Sequence, residues 1–105
     1  MSSIKFAFDS RLGISIPQLK TDWEELDPAL QEKTLAEWEN VRGDIPERIK
    51  SLEQKINKLQ QDLYEEENFE RSCLLNSRIA ELASVINDLW IWYRTGEEVK
   101  VKTHS

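Results

Sequence analysis

The chain has 105 residues, with three glycines, three prolines and 20 acidic against 14 basic side chains, for a net charge of −6. That is material for one domain; cations so outnumbered and scattered disfavour nucleic acid as a direct partner. No apolar run approaches the ~20 residues of a membrane span, MSSIKFAFDSRLG lacks the apolar core of a secretory signal, and the single cysteine, Cys73, has no partner within the chain. Together these point to a reducing, cytoplasmic setting.

Residues 1–21 read as an extended arm or a small β-hairpin. In IKFAF, Ile4, Phe6 and Phe8 alternate with Lys5 and Ala7, ISI at 14–16 repeats the pattern, and DSRLG between them carries turn chemistry with Gly13. VKVKTH at 99–104 alternates too, so residues 96–105 form a tail or add a third strand. Thr21, Asp22, Trp23 and Glu24 have the form of a capping box. Asp27-Pro28 then opens a helix, with aspartate at the N-cap and proline in the first turn. This first helix spans 28–42 through Leu30, Leu35, Trp38 and Val41, and Gly43 is its expected stop. Asp44-Ile45-Pro46-Glu47 restarts the chain as a second helix. The Arg42-Gly43-Asp44 triplet is read as capping chemistry at that break.

From Glu47 to Thr95 there is no glycine or proline. Ile45, Ile49, Leu52, Ile56, Leu59 and Leu63 follow one another at spacings of 4, 3, 4, 3 and 4, a heptad seam. Leu75, Ile79, Leu82, Ile86, Leu89 and Tyr93 repeat those spacings in a different phase. A turn within EEENFERS, residues 65–72, accounts for the shift, with Asn68 suited to the left-handed conformation and Ser72 to a cap. Folding the chain there pairs Leu63 with Leu75, Leu59 with Ile79 and so on to Ile45 with Tyr93, each pair of numbers adding to 138. The expected fold is mainly α: an antiparallel, coiled-coil-like hairpin of helices over 45–66 and 71–95, with the shorter helix 28–42 packed on it. A single long helix paired with its own copy gives the same pairings between chains.

The third helix carries more apolar surface than a two-helix seam needs. With Ile79, Ile86 and Tyr93 at heptad position a, Ala83 and Trp90 fall at e, and Val85 and Trp92 at g. A stripe this wide requires more than one neighbour. Trp38 and Leu35 are the nearest suppliers, then Phe6, Phe8 and Trp23, then a second subunit. Trp38, Trp90, Trp92 and Tyr93 are therefore the candidate protein-interaction residues, with core packing as their competing role.

No assembled chemistry accompanies them. His104, the single histidine, lies one residue from the end, and with one cysteine it gives no zinc set within one chain. There is no Glu-x-x-His, Gly-x-Gly-x-x-Gly, P-loop or Gly-x-Ser-x-Gly pattern. The run Glu65-Glu66-Glu67 reads as a solvated face, and Cys73 as a structural thiol. The expectation is a non-enzymatic protein-interaction module without metal or cofactor, a small helical adaptor or regulator acting as a homodimer. The alternative is a dimeric regulator associated with nucleic acid that presents Arg42, Arg48 and Lys50 together.

Overall fold

The computed structural model describes residues 5–18 and 23–104, with residues 96–104 as backbone only. Two strands come first: β1, Lys5–Asp9, and β2, Ile14–Gln18. A 3-10 turn at Trp23–Glu25 leads into α1, Pro28–Glu65, and then α2, Phe69–His104. Mainly helical and rod-like, the molecule measures 59 × 24 × 17 Å. Its radius of gyration is 18.1 Å, against about 13 Å for a compact chain of ~100 residues.

The β-hairpin forms where the alternation predicts it, but its buried row is different. Asp9 organises the loop: its side chain accepts the Leu12 N–H at 3.0 Å and its carbonyl accepts the Gly13 N–H at 2.7 Å. Gly13 sits at φ +77°, the left-handed conformation in which glycine has no side chain to strain. The register sets Ala7 opposite Ile16 and Asp9 opposite Ile14. Opposed residues share a face, so Ile14 and Ile16 point inward on the row opposite to Phe8. Phe8, on that other row, is 67% exposed, although Phe6 of the same row is partly buried against the core. Ile4 and the Thr21-Asp22 half of the expected capping box lie outside the described residues. Asp27 occupies the N-cap of α1 without a side-chain cap bond. Instead, the Gln31 amide donates to the Trp23 carbonyl at 2.7 Å and ties the 3-10 turn to the helix.

The expected break at Gly43 does not occur: the helices expected over 28–42 and 45–66 are one helix ending at Glu65, with Pro46 in its interior. The missing N–H of Pro46 leaves one rung of the helical ladder unmade. Tertiary packing overrides this local cost. Trp38 and Ile45 on one side of Pro46 and Ile49 and Leu52 on the other are all buried in one cluster with Val85 and Leu89. Both halves of α1 lie against the same partner helix, which holds them collinear. The partner is longer than expected as well. α2 starts at Phe69 rather than residue 71 and continues through Gly96 to His104, so residues 99–104 are helix and not a third strand.

The turn between the helices is intramolecular, and the two helices pack as a hairpin within one chain. It occupies residues 66–68. No residue other than glycine has a positive φ among those described, so Asn68 does not take the left-handed conformation. It caps α2 in place of Ser72, its side chain accepting the Arg71 N–H at 3.1 Å. Across the turn, Arg71 meets Glu66 at 3.3 Å.

Burial is uneven along the rod. Ile45, Ile49, Leu52, Val85 and Leu89 are sealed, because Leu12 and Ile14 of the β-hairpin close over them. Toward the turn, Ile56, Leu59, Leu63, Leu75, Ile79 and Leu82 are only half-buried. Two helices alone cannot enclose their shared seam; a third layer is present at one end only.

Gly43 lies within the helix, is exposed, and an added Cβ meets nothing within 4 Å. Gly43→Ala is therefore expected to stabilise the protein by about 0.5–1 kcal/mol, through helix propensity and the unfolded chain. Were residue 43 a left-handed helix stop, the same change would lower the urea midpoint instead of raising it.

Candidate functional site

The four candidate aromatic residues lie in the half of the rod away from the interhelical turn, in two pairs. Trp38 of α1 and Trp92 of α2 meet edge to face, with ring centroids 5.6 Å apart and planes at 62°. Trp90 and Tyr93, three residues apart on α2, meet at 5.6 Å and 88°. Both geometries set a ring edge toward a neighbouring face, the electrostatically favoured arrangement. Arg42, in the interior of α1, joins this group. Its guanidinium lies 4.2 Å from the Tyr93 ring centroid, and its Nε donates to the Tyr93 carbonyl at 2.9 Å. Glu39 stands one turn back on α1, 3.4 Å from Arg42 Nη1. The Arg42 side chain is only 12% exposed, so this cation–π contact is shielded from water and is worth about 1–2 kcal/mol.

The four residues are not equivalent. Trp38 is buried, and Trp92 and Tyr93 are partly buried against the core cluster. Trp90 is 41% exposed and its neighbour Ile91 47%. The wide stripe of α2 is thus covered on one flank and bare on the other. On the g flank, Val85 is buried under the β-hairpin and Trp92 lies against Trp38. On the e flank, both Ala83 and Trp90 are exposed. Trp90 is thus not enclosed within the chain, in contrast to Trp92. One small hairpin reaches one side of the helix and no further.

Three polar ties hold the β-hairpin on the g flank. Arg11 reaches α2, binding Asp88 at 2.7 Å and the Ser84 hydroxyl at 3.0 Å. From α1, Arg48 Nε donates to the Leu12 carbonyl at 3.0 Å. Gly13 permits that approach, since a Cβ there would stand 2.6 Å from Arg48 Nε. Leu12, at the centre of these ties, is 3% exposed, and nothing in its loop sequence marked it as core. Of the cations considered for nucleic acid, Arg42 and Arg48 are engaged within the fold, and Lys50 alone is exposed.

Other exposed apolar side chains gather at the opposite end. Tyr64 is 92% exposed, Phe69 80% and Leu74 69%. Cys73 is also exposed, so it is not a packed structural thiol. Phe69 had a readable signal: it begins a second series on α2, Phe69, Cys73, Asn76, Ala80, Ala83, Asn87 and Trp90, at spacings of 4, 3, 4, 3, 4 and 3. Every member is exposed and none is charged. By contrast, the exposed face of α1 carries Glu47, Lys50, Glu53, Lys55, Lys58 and Asp62. Among the described residues, no three His, Cys, Asp or Glu side chains are grouped as a metal ion requires, and no helix is long and apolar enough to cross a membrane.

No family model, curated protein or solved structure matches this chain.

The split in burial sets an expected order of stability effects. Trp38→Ala should cost about 3–5 kcal/mol, as for a large aromatic removed from a core. Trp90→Ala should cost under about 1.5 kcal/mol, because much of its ring already meets water. Urea denaturation of the two variants measures the difference; equal losses would place Trp90 in the interior.

Proposed function

We propose that this chain is a non-catalytic protein-interaction module, a small helical adaptor or regulator that works by self-association and by docking other chains. The observation that carries this reading is the exposure of Trp90 and Ile91. They belong to the same helical turns as Trp92 and Tyr93, which the fold covers. A tryptophan and an isoleucine held side by side on a rigid helix, without a charged residue between them, form the kind of anchor that buries most profitably in a protein interface. A catalytic reading needs polar groups converging in a recess, and the aromatic end offers rings and one guanidinium already bound to a carbonyl. The nucleic-acid alternative is weakened because Arg42 and Arg48 serve as internal ties.

The scaffold beneath this face is read as a coiled-coil pair in which Leu59 meets Ile79 and Ile49 meets Leu89. Cysteines introduced at residues 59 and 79 are expected to form a disulfide within one chain, seen as a monomer of altered mobility on a non-reducing gel. A covalent dimer instead would overturn that register.

The functional reading is tested by crosslinking in living cells, comparing the natural chain with a Trp90→Ser, Ile91→Ser double variant. Adducts are expected from the natural chain and are expected to fall at least about tenfold in the variant, at unchanged helicity. If neither protein forms adducts of any size, the chain is not an interaction module.

A further inference from the structure

The uncharged series on the e flank of α2 is bounded by a ring at each end and has its smallest residues near the middle. Read forward it runs Phe69, Cys73, Asn76, Ala80, Ala83, Asn87, Trp90. Read in either direction it begins and ends on an aromatic ring, has a polar residue next to each ring, and keeps its two alanines near the middle. A two-fold axis through Ala80 sets Ala80 opposite itself and Cys73 opposite Asn87, and brings Phe69 within one residue of Trp90 and Asn76 within one residue of Ala83. We propose that a second copy of the chain docks here, α2 against α2 and antiparallel, with the two Ala80 residues facing each other across a two-fold axis. This deepens the reading of the chain as an interaction module by naming one partner and its register.

Three features support a second copy in particular. The first is shape. A two-fold contact must present the same patch twice and be complementary to itself. Here small residues occupy the centre, where alanine lets helices approach to about 8 Å, and bulky rings occupy both ends. Each exposed ring, Phe69 and Trp90, meets the other ring type on the partner. The strip covers about 31 Å of helix at 1.5 Å per residue.

Charge is the second. Arg94 continues the same series one step beyond Trp90 and is exposed. In the proposed register it lies beside Glu67 and Glu70 at the turn of the second copy. Those glutamates are exposed as well, and neither they nor Arg94 take part in an ion pair among the described residues. The two-fold axis makes this pairing twice. The self-repulsion of a chain with net charge −6 is thereby offset at both ends of the contact, and the wrong, parallel orientation would bring Arg94 to Arg94.

The third is the open seam. Ile56, Leu59, Leu63, Leu75, Ile79 and Leu82 are only half-buried, and this stretch brackets Ala80. The β-hairpin closes the seam at the far end from the g flank. A second hairpin laid along the e flank supplies at the middle and turn end the layer that β1 and β2 do not reach, giving a four-helix arrangement with two β-caps.

The test uses the full chain carrying Cys73→Ser, which removes the natural thiol. Sedimentation over a concentration series is expected to give a dimer. Ala80→Arg sets two like charges face to face on the axis. It should raise the dimer dissociation constant at least about tenfold, with helicity and melting of the monomer unchanged because residue 80 is exposed. Ala80→Cys, treated with a mild oxidant, should yield a disulfide-linked dimer, since the short approach suits the bond; Lys58→Cys, on the outer face of α1, should not. A protein that stays monomeric throughout overturns the proposal. So does a dimer indifferent to Ala80→Arg, which assembles through another surface, and so does crosslinking through residue 58 in preference to residue 80. A monomer that still forms cellular adducts with other proteins would sink the dimer and leave the interaction reading standing.

Discussion

Leu12 and Ile14, carried on the tip and second strand of a small β-hairpin, enter the seam between two long helices, and the rest of the architecture is arranged around that contact. Without it the molecule would be a two-helix rod with a half-wet core. Each of the two side chains contributes about 1.5–3 kcal/mol by leaving water, and neither β1 nor β2 is stable alone. Helices and hairpin are therefore mutually dependent. The surface pair Arg11–Asp88 adds little energy by itself, about 1 kcal/mol or less for groups exposed to this degree. Its role is orientation: with the Arg48 bond to the Leu12 carbonyl, it fixes which flank of α2 the hairpin covers.

That choice of flank divides the aromatic end. Val85 faces the covered side and becomes core and Trp92 packs partly buried against it, whereas Trp90 faces the open side. The same helix thus holds a folded-state anchor and an exposed one within a single turn. Arg42 keeps the two groups in fixed relation, because its guanidinium binds the Tyr93 carbonyl and covers the Tyr93 ring while Tyr93 stands against Trp90. An exposed ring on such a mounting has little conformational freedom left to lose on binding, which removes one of the costs of association.

Continuity of α1 is the second consequence. Gly43 and Pro46 are each poor helix residues, and together they resemble a boundary. Yet a break there would take Trp38 off Trp92 or Ile45 out of the seam. The loss of either burial, several kcal/mol, exceeds the roughly 3 kcal/mol that an internal proline costs. The partner helix decides the outcome, because Trp38 ahead of Pro46 and Ile49 and Leu52 beyond it all pack in the cluster that α2 completes.

What the sequence determined by itself was whatever depends on periodicity and local chemistry. The 4-3 spacing of isoleucines and leucines marked the helical hairpin and its phase shift. The alternation in IKFAF and ISI with Gly13 between marked the β-hairpin, and the width of the apolar stripe on α2 required a third layer. Tertiary structure alone decided which layer that is, on which flank it lies, and what it leaves bare. Leu12 is one leucine in a polar loop, and Arg11, Arg42 and Arg48 are ordinary surface cations by composition; their partners stand 36 to 77 residues away in the chain. Local pattern fixes which face of an element is apolar, because that follows from a helix or strand repeat. It cannot say which distant segment will cover the face, because coverage depends on the whole chain's competing ways of removing apolar area from water.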